Sequence, residues 1–281
     1  MNYSSVAWVA VMGLLVAGGC SVVVDANRTQ CASDADCTGR GAAFAGSVCV
    51  DSFCQASEQW ACLSEPRPVV ATGSTFKVSF AVRDIVKQLP LPGVTGRLCR
   101  KLDVSCSDAL SELMTSDAQG AMTFDVPSAF DGYVRFEGAD ISPTLYFFNP
   151  PVAKPLTDVL VSLASPSTVG LLALQAGAQQ SAERGLILIS VADCTGAPAG
   201  GIKLTSEPAD AQTVTFYAQQ GLPSGSARST DSSGYGGFLN VPPGSVTFSG
   251  SLASTGQLMD SLTVLIQPNT ATITTLVPHG G

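Results

Sequence analysis

One short element occurs twice in this chain, with Asp117 of the first copy and Asp231 of the second about 114 residues apart. The first copy reads Thr115-Ser116-Asp117-Ala118-Gln119-Gly120-Ala121-Met122-Thr123-Phe124-Asp125-Val126-Pro127. The second reads Ser229-Thr230-Asp231-Ser232-Ser233-Gly234-Tyr235-Gly236-Gly237-Phe238-Leu239-Asn240-Val241-Pro242, with one insertion after the Phe. Upstream, Val82-Arg83-Asp84 with Pro92-Gly93 matches Val191-Ala192-Asp193 with Pro198 and Gly200. A period this long signals a duplicated domain, because solenoid repeats run only about 20–50 residues. Each part of the element has a mechanical reading. Asp117 and Asp231 are placed to accept hydrogen bonds from the backbone two residues on, and Gly120 and Gly234 supply turn geometry. Phe124 and Phe238 fall inside the following strand and are expected in the core. Pro127 and Pro242 end that strand, since proline has no N–H to give to a ladder.

Around these elements, segments rich in Val, Thr, Phe and Leu alternate with Gly, Pro, Ser and Asp. Strands are expected over 76–83, 97–101, 121–126, 133–137, 144–148 and 158–163, then over 186–192, 202–205, 213–217, 236–240, 245–248, 261–266 and 271–276. Short strands at this density predict sandwiches. The expected fold is mainly β: two tandem Greek-key β-sandwiches over 74–164 and 185–277, with one helix in the linker 165–184 and a small disulfide-rich segment before them. Val169, Leu172, Ala173 and Ala176 form the apolar stripe of that helix, which is expected to run from Pro166 to about Glu183 and to pack on a sandwich.

The chain has nine cysteines. Five of them, Cys31, Cys37, Cys49, Cys54 and Cys62, fall in a stretch too poor in aliphatics to build a core, so covalent staples are expected to substitute for burial. Zinc is disfavoured there, because no histidine is near and no paired C-x-x-C occurs. Cys99 and Cys106 are expected to close a local loop. Five cysteines cannot all pair internally, and a link from Cys62 to Cys194 is the expected exit. Asp34-Ala35-Asp36-Cys37-Thr38-Gly39 starts like a calcium loop but has Ala45 where the bidentate Glu belongs, so a polar turn is the expectation and no metal is assigned.

Residues 1–19 carry no charged side chain, and Val6–Val16 is an apolar run too short for a comfortable membrane span. It ends in Leu15-Val16-Ala17-Gly18-Gly19-Cys20, which resembles the bacterial lipoprotein signal. The resemblance implies a signal peptide over 1–19, an acylated Cys20 as mature N-terminus, and 20–64 as lipid anchor plus disulfide-rich segment. Removing Cys20 leaves eight cysteines, which pair without remainder. A plain secretory signal cut near Ala17 to Gly19, or an uncleaved anchor, is the competing reading. All of these place the protein outside the cytoplasm, and Ser21 after the cysteine points to the outer membrane or cell surface.

The repeated element also resembles the carboxypeptidase regulatory-like, transthyretin-like β-sandwich, whose pattern is "T-D-x-x-G-x-F-x-x-x-P-x-G". The second copy follows it through Thr230-Asp231, Gly234, Phe238 and Pro242-Pro243-Gly244; the first has Pro127-Ser128-Ala129-Phe130-Asp131-Gly132 in place of the last step. The family implies a seven-stranded Greek-key sandwich and no chemistry of its own. The chain as a whole resembles predicted lipoproteins of myxobacterial type, which combine a Cys-rich start, a Trp near its end (Trp60-Ala61-Cys62-Leu63) and paired sandwiches.

Chemistry is hard to find. The single histidine, His279, sits in the terminal tail, and no nucleophile elbow, P-loop or dinucleotide fingerprint occurs. Asp117 and Asp231 are explained by their turns. A Lys–Asn crosslink of the adhesin type is not expected, because 186–192 holds no lysine. Neither catalytic residues nor a cofactor are assigned. A net charge of −8 without a basic cluster excludes nucleic acid as a partner. The expected role is that of a non-catalytic, lipid-anchored envelope protein. Its partners are the membrane, through the N-terminal lipid, and an envelope protein or a polysaccharide. Carbohydrate or polymer binding is the alternative, through outward aromatics among Tyr146, Phe147, Phe148, Tyr217 and Tyr235. A surface hydrolase using carboxylates is the remote third reading.

Overall fold

The computed structural model describes residues 29–41, 44, 46–64 and 72–278. The signal peptide, Cys20 and His279 lie outside the described residues. The N-terminal segment contains α1 (Asp34–Thr38), a hairpin of β1 (Ser47–Val50) and β2 (Phe53–Ala56), and a 3₁₀ turn over Glu58–Ser64. The first repeat is β3 (Thr75–Asp84), β4 (Thr95–Arg100), β5 (Met114–Thr115), β6 (Ala121–Pro127), β7 (Gly132–Glu137), β8 (Thr144–Phe147) and β9 (Leu156–Leu163). After α2 (Pro166–Gln175) comes the second: β10 (Gly185–Val191), β11 (Ile202–Glu207), β12 (Val214–Gln219), β13 (Leu222–Ser224), β14 (Tyr235–Val241), β15 (Gly244–Leu252), β16 (Leu258–Ile266) and β17 (Ala271–Leu276).

The two repeats share one wiring. In each, the first strand lies between the strand of the repeated element, antiparallel, and the last strand, parallel: β6-β3-β9 and β14-β10-β17. In the first repeat that sheet stacks on β5-β4-β7-β8, burying Val78, Phe80, Val82 and Phe124 against Leu98, Val134 and Phe136. In the second it gains β12 and β13 and stacks on β11-β15-β16, burying Ile187, Ile189 and Phe238 against Ile202, Val246 and Phe248.

The sandwiches are not merely in tandem. β8, at the edge of one sheet of the first repeat, pairs in parallel with β17 of the second through Ala271↔Thr144, Thr272↔Leu145 and Ile273↔Tyr146. Nine strands thereby form one sheet, β13-β12-β14-β10-β17-β8-β7-β4-β5, that runs through both repeats. The two halves are covered on opposite faces, by β6-β3-β9 and by β11-β15-β16.

The glycine and hydroxyl bonds of the turn are duplicated atom by atom. The N–H of Val82 donates to Gly120 O at 2.8 Å and that of Val191 to Gly234 O at 2.8 Å. Ser116 Oγ donates to Leu91 O at 2.7 Å and accepts from the N–H of Val94 at 2.9 Å. Thr230 Oγ1 repeats both bonds with Ala199 and Ile202, at 2.8 and 3.0 Å. Gly120 and Gly234 have φ of 73° and 71°. A Cβ there would meet Val82 O at 2.3 Å or Val191 O at 2.5 Å, so only glycine fits both the angle and the approach. The residue inserted in the second copy becomes a β-bulge in β14, where Leu239 and Asn240 together oppose Leu186, with Asn240 at φ 54°.

Helix α2 starts where Ser165 Oγ accepts the N–H of Thr168, with Pro166 at the first turn. It stops at Gln175, well short of Glu183, because Gly177 turns the chain at φ 82°. Ala173 and Ala176 are buried and Val169 and Leu172 half-buried. This stripe covers Leu186, Phe216, Leu239 and Ala271, on the face of the long sheet opposite the second core.

Phe124 and Phe238 each retain 2% of their surface exposed. Phe238→Ala is expected to cost ~3–5 kcal/mol, read as a lower urea midpoint at unchanged slope. A cost below about 1 kcal/mol would remove Phe238 from the core.

Candidate functional site

The eight described cysteines are joined as Cys31–Cys49, Cys37–Cys54, Cys62–Cys194 and Cys99–Cys106. The sulfurs of Cys31, Cys37 and Cys54 lie within 4.8 Å of one another, but each is spent in a disulfide and offers no thiolate to a metal. The acids of the apparent calcium loop are spent too. Asp36 accepts the N–H groups of Ala32 and Ser33 at 2.8 and 2.9 Å, and Asp34 that of Cys49 at 2.8 Å. The long link docks this segment on the second repeat. The N–H of Cys62 donates to Cys194 Sγ at 3.1 Å, and that of Cys194 to Gln59 O at 3.0 Å. Leu63 is buried in the second core, with Trp60 packed against it.

The carboxylates of the repeated element are acceptors for backbone donors. Asp117 Oδ1 takes the N–H groups of Gln119 and Ala121 at 2.9 and 2.8 Å. Asp231 Oδ1 takes the hydroxyl and N–H of Ser233, and Oδ2 the N–H of Gln220. The Ser233 hydroxyl, then its N–H, hold the Asp231 carboxyl below the usual range. Among the described residues every aspartate with a shifted carboxyl moves down: Asp36 through the N–H of Ala32, Asp84 through that of Lys87, Asp103 through that of Asp108, Asp210 through the Arg184 side chain. A general acid needs the opposite shift.

Two polar clusters, one around buried Asp260 and one around buried Asn240, have no counterpart among the residues singled out from the sequence. At the end of the seam between repeats, Asn149 Nδ2 donates to Asp260 Oδ2 at 2.8 Å and to Thr275 O at 2.7 Å. Asp260, 1% exposed, also accepts the N–H groups of Val277 and Ser261. Behind α2, Arg184 pairs with Asp210 at 2.6 Å and donates to Asn240 O, while Asn240 bonds Gln179, Gln180 and Ser181 and ties the strap after the helix to the bulge. Isolated polar residues in apolar strands, Asp260 and Asn240, were the only signals of either. Both clusters fasten the fold.

The aromatic candidates are mostly consumed. Tyr146 and Phe148 turn to the first core around Phe80, and Phe147 turns to the second, 4.9 Å from Tyr133. Burial pushes the Tyr146 phenol up to about 12. Core packing, the reading preferred over an outward ring for 146–148, accounts for all three rings, because β8 lies inside a sheet covered on both faces. Tyr217 is buried with its oxygen accepting the N–H of Leu204, and Tyr235 remains exposed.

Concavities occur at two notable places among the described residues. An apolar one of about 50 Å³ lies beneath Val169 and Leu172 of α2. A polar groove of about 270 Å³ lies over β4 and β7, lined by Thr95, Arg97, Ser105, Leu113, Arg135 and Glu137.

No protein-family model matches the sequence, and no curated protein is similar to it. Among solved structures, the Bacillus anthracis TIE protein is 12% identical over 73% of this chain, with a TM-score of 0.24. A streptococcal ancillary pilin is 15% identical over 75%, with a TM-score of 0.24. The shaft pilin SpaA of Lactobacillus rhamnosus GG is 13% identical over 74% of this chain and 99% of its own, with a TM-score of 0.24. The chain spans 34% of the first of these proteins and 64% of the second. Superpositions at this level lend the chain no role.

Mapping of unreduced peptides is expected to recover the four linkages above, with no alkylatable thiol among these eight cysteines. Replacing Cys62 and Cys194 together by serine opens a span of 132 residues and is expected to cost about 4 kcal/mol. Native alkylation of any of the eight would contradict this framework.

Proposed function

We propose that this is a non-catalytic, lipid-anchored protein of the cell envelope with a structural or binding role. The observation that carries the reading is the disulfide framework. Eight cysteines are paired, two of them across 132 residues, which suits an oxidising compartment outside the cytoplasm. Support for a non-catalytic role comes from Asp84, Asp103, Asp117, Asp193, Asp210 and Asp231, whose carboxylates serve backbone turns and an ion pair. The two repeats are read as carboxypeptidase regulatory-like sandwiches, a module that accompanies other activities without catalysing. No helix among the described residues is long and apolar enough to cross a membrane. The anchor is assigned to the lipid on Cys20, with the outer membrane as destination. One myristoyl-sized chain holds a protein only weakly, with a partition constant on the order of 10⁴ M⁻¹, whereas lipoprotein processing adds two or three. Binding of neutral sugars on an aromatic platform is not adopted, because Tyr146, Phe147 and Phe148 are committed to the cores.

Membrane fractionation of wild type beside Cys20→Ser, with mass spectrometry of the mature N-terminus, tests the anchor. Acylated Cys20 and loss of the variant from the membrane are expected. A mature chain that begins downstream of Cys20 without acyl mass would overturn it.

A further inference from the structure

The groove over β4 and β7 has an unbalanced charge pattern. Arg97 and Arg135 stand directly opposite each other across the ladder, and like charges so placed, with Cβ atoms about 4.5–5.5 Å apart, destabilise a sheet. Arg135 is engaged: it pairs with Glu137 at 2.8 Å, and its Nη1 donates to Gln267 Oε1 at 3.2 Å. Gln267 in turn donates to Val104 O at 2.7 Å, which holds the Cys99–Cys106 loop as the groove wall. Arg97 is exposed, and its guanidinium has no hydrogen-bond or ion-pair partner among the described residues. The groove therefore carries two arginines against one glutamate in a chain whose net charge is −8.

Its surroundings are apolar and open at an edge. Leu113, in the lining, and Val104, beside it, are exposed, and Met114, opposite Gly96 and so on the other face of the sheet from Arg97, is exposed too. Met114 and Thr115 form β5, the last strand of the nine-stranded sheet, paired only with β4. A strand of two residues offers little backbone to a further extended segment, so side-chain contacts in the groove must carry its docking, with the sheet edge setting its direction.

We propose that this groove docks an extended, acidic protein segment, which adds beside β5 and places a carboxylate on Arg97. A planar guanidinium binds a carboxylate in a two-pronged fashion, and a strand alternating acidic and apolar residues presents its acids on one face and its apolar side chains on the other. A protein segment is favoured over a polysaccharide because the rim offers Val104 and Leu113 and no exposed aromatic ring, and because Met114 lies exposed on the opposite face, where the apolar side chains of an added strand would fall. The proposal deepens the binding role proposed above and rests on it.

The test measures binding of the capped, fluorescently tagged peptide Val-Glu-Val-Asp-Val-Glu to the full chain in detergent by anisotropy. The control peptide carries Gln and Asn in place of the acids, and an oligouronate and inorganic sulfate form separate arms. The acidic peptide is expected to bind at least about tenfold more tightly than the amide control, and to weaken as salt rises. Arg97→Gln should weaken it about tenfold and Arg97→Glu further, with Arg97→Lys in between, and none of the three should lower the thermal unfolding temperature, since Gln and Glu relieve the repulsion with Arg135. Equal binding of acidic and amide peptides, full binding by Arg97→Glu, or no peptide binding would overturn the proposal. Binding of the oligouronate alone would overturn it in favour of a polysaccharide site and leave the binding role standing. Binding of sulfate alone would reduce the groove to an adventitious ion site. The anchor assignment is tested separately by Cys20→Ser and survives any of these results.

Discussion

The parallel pairing of β8 with β17 is the interaction on which the rest of the molecule depends. Three residue pairs join the backbones. The N–H of Ala271 donates to Pro143 O at 2.9 Å, Thr274 Oγ1 donates to Phe147 O at 3.3 Å, and Asn149 closes the far end onto Asp260 and Thr275. Without this seam each sandwich would end in an open edge rich in β-branched and aromatic residues, a template for uncontrolled pairing. With it, β8 and β17 become interior strands of one sheet, and the core of the second repeat extends under the first to include Cys99, Tyr133, Leu145 and Phe147. That extension commits the aromatic run at 145–148 to packing and removes it from any surface role.

The Cys62–Cys194 bond reinforces the same closure from outside. It fastens the N-terminal segment to the second repeat, so the first repeat and α2 lie within a covalent loop whose ends are also bridged by the sheet. The N-terminal hairpin buries few apolar side chains of its own. It is held by two internal disulfides, by Asp34 and Asp36 on its backbone, and by Trp60 and Leu63 on the second core. An anchor attached upstream of this segment would therefore pull on a cross-linked unit first.

Much of this was legible in the sequence where the cause is local. The turn of the repeated element depends on Asp, Gly and a Ser or Thr at fixed offsets; the Gly and Ser or Thr bonds are the same in both copies, and each Asp accepts the N–H two residues on while its remaining bonds differ. The helix start at Ser165 and Pro166 follows from capping. The seam was not legible in the same way, because pairing between strands more than 120 residues apart leaves no local mark. Its trace was indirect: Thr144-Leu-Tyr-Phe147 is apolar on both faces, as a strand covered on two sides must be. The helix overran to Glu183 on paper because the strap after Gly177 is held by tertiary bonds from Asn240, a bulge residue whose role emerges only once β14 is paired. The strands β5 and β13 are too short to rise above the turn signals around them. The arginine pair of the groove required the β4–β7 register, which sequence spacing alone does not provide.

Hydrogen exchange followed by mass spectrometry is the most direct test of the fused sheet. If the seam binds the repeats into one cooperative body, amides of β8 and β17 exchange with the same protection as β3 and β10, and both repeats lose protection together as urea is raised. Fast exchange at β8 and β17 beside protected β3 and β10, or separate urea transitions for the two repeats, would show two independent sandwiches and contradict the account.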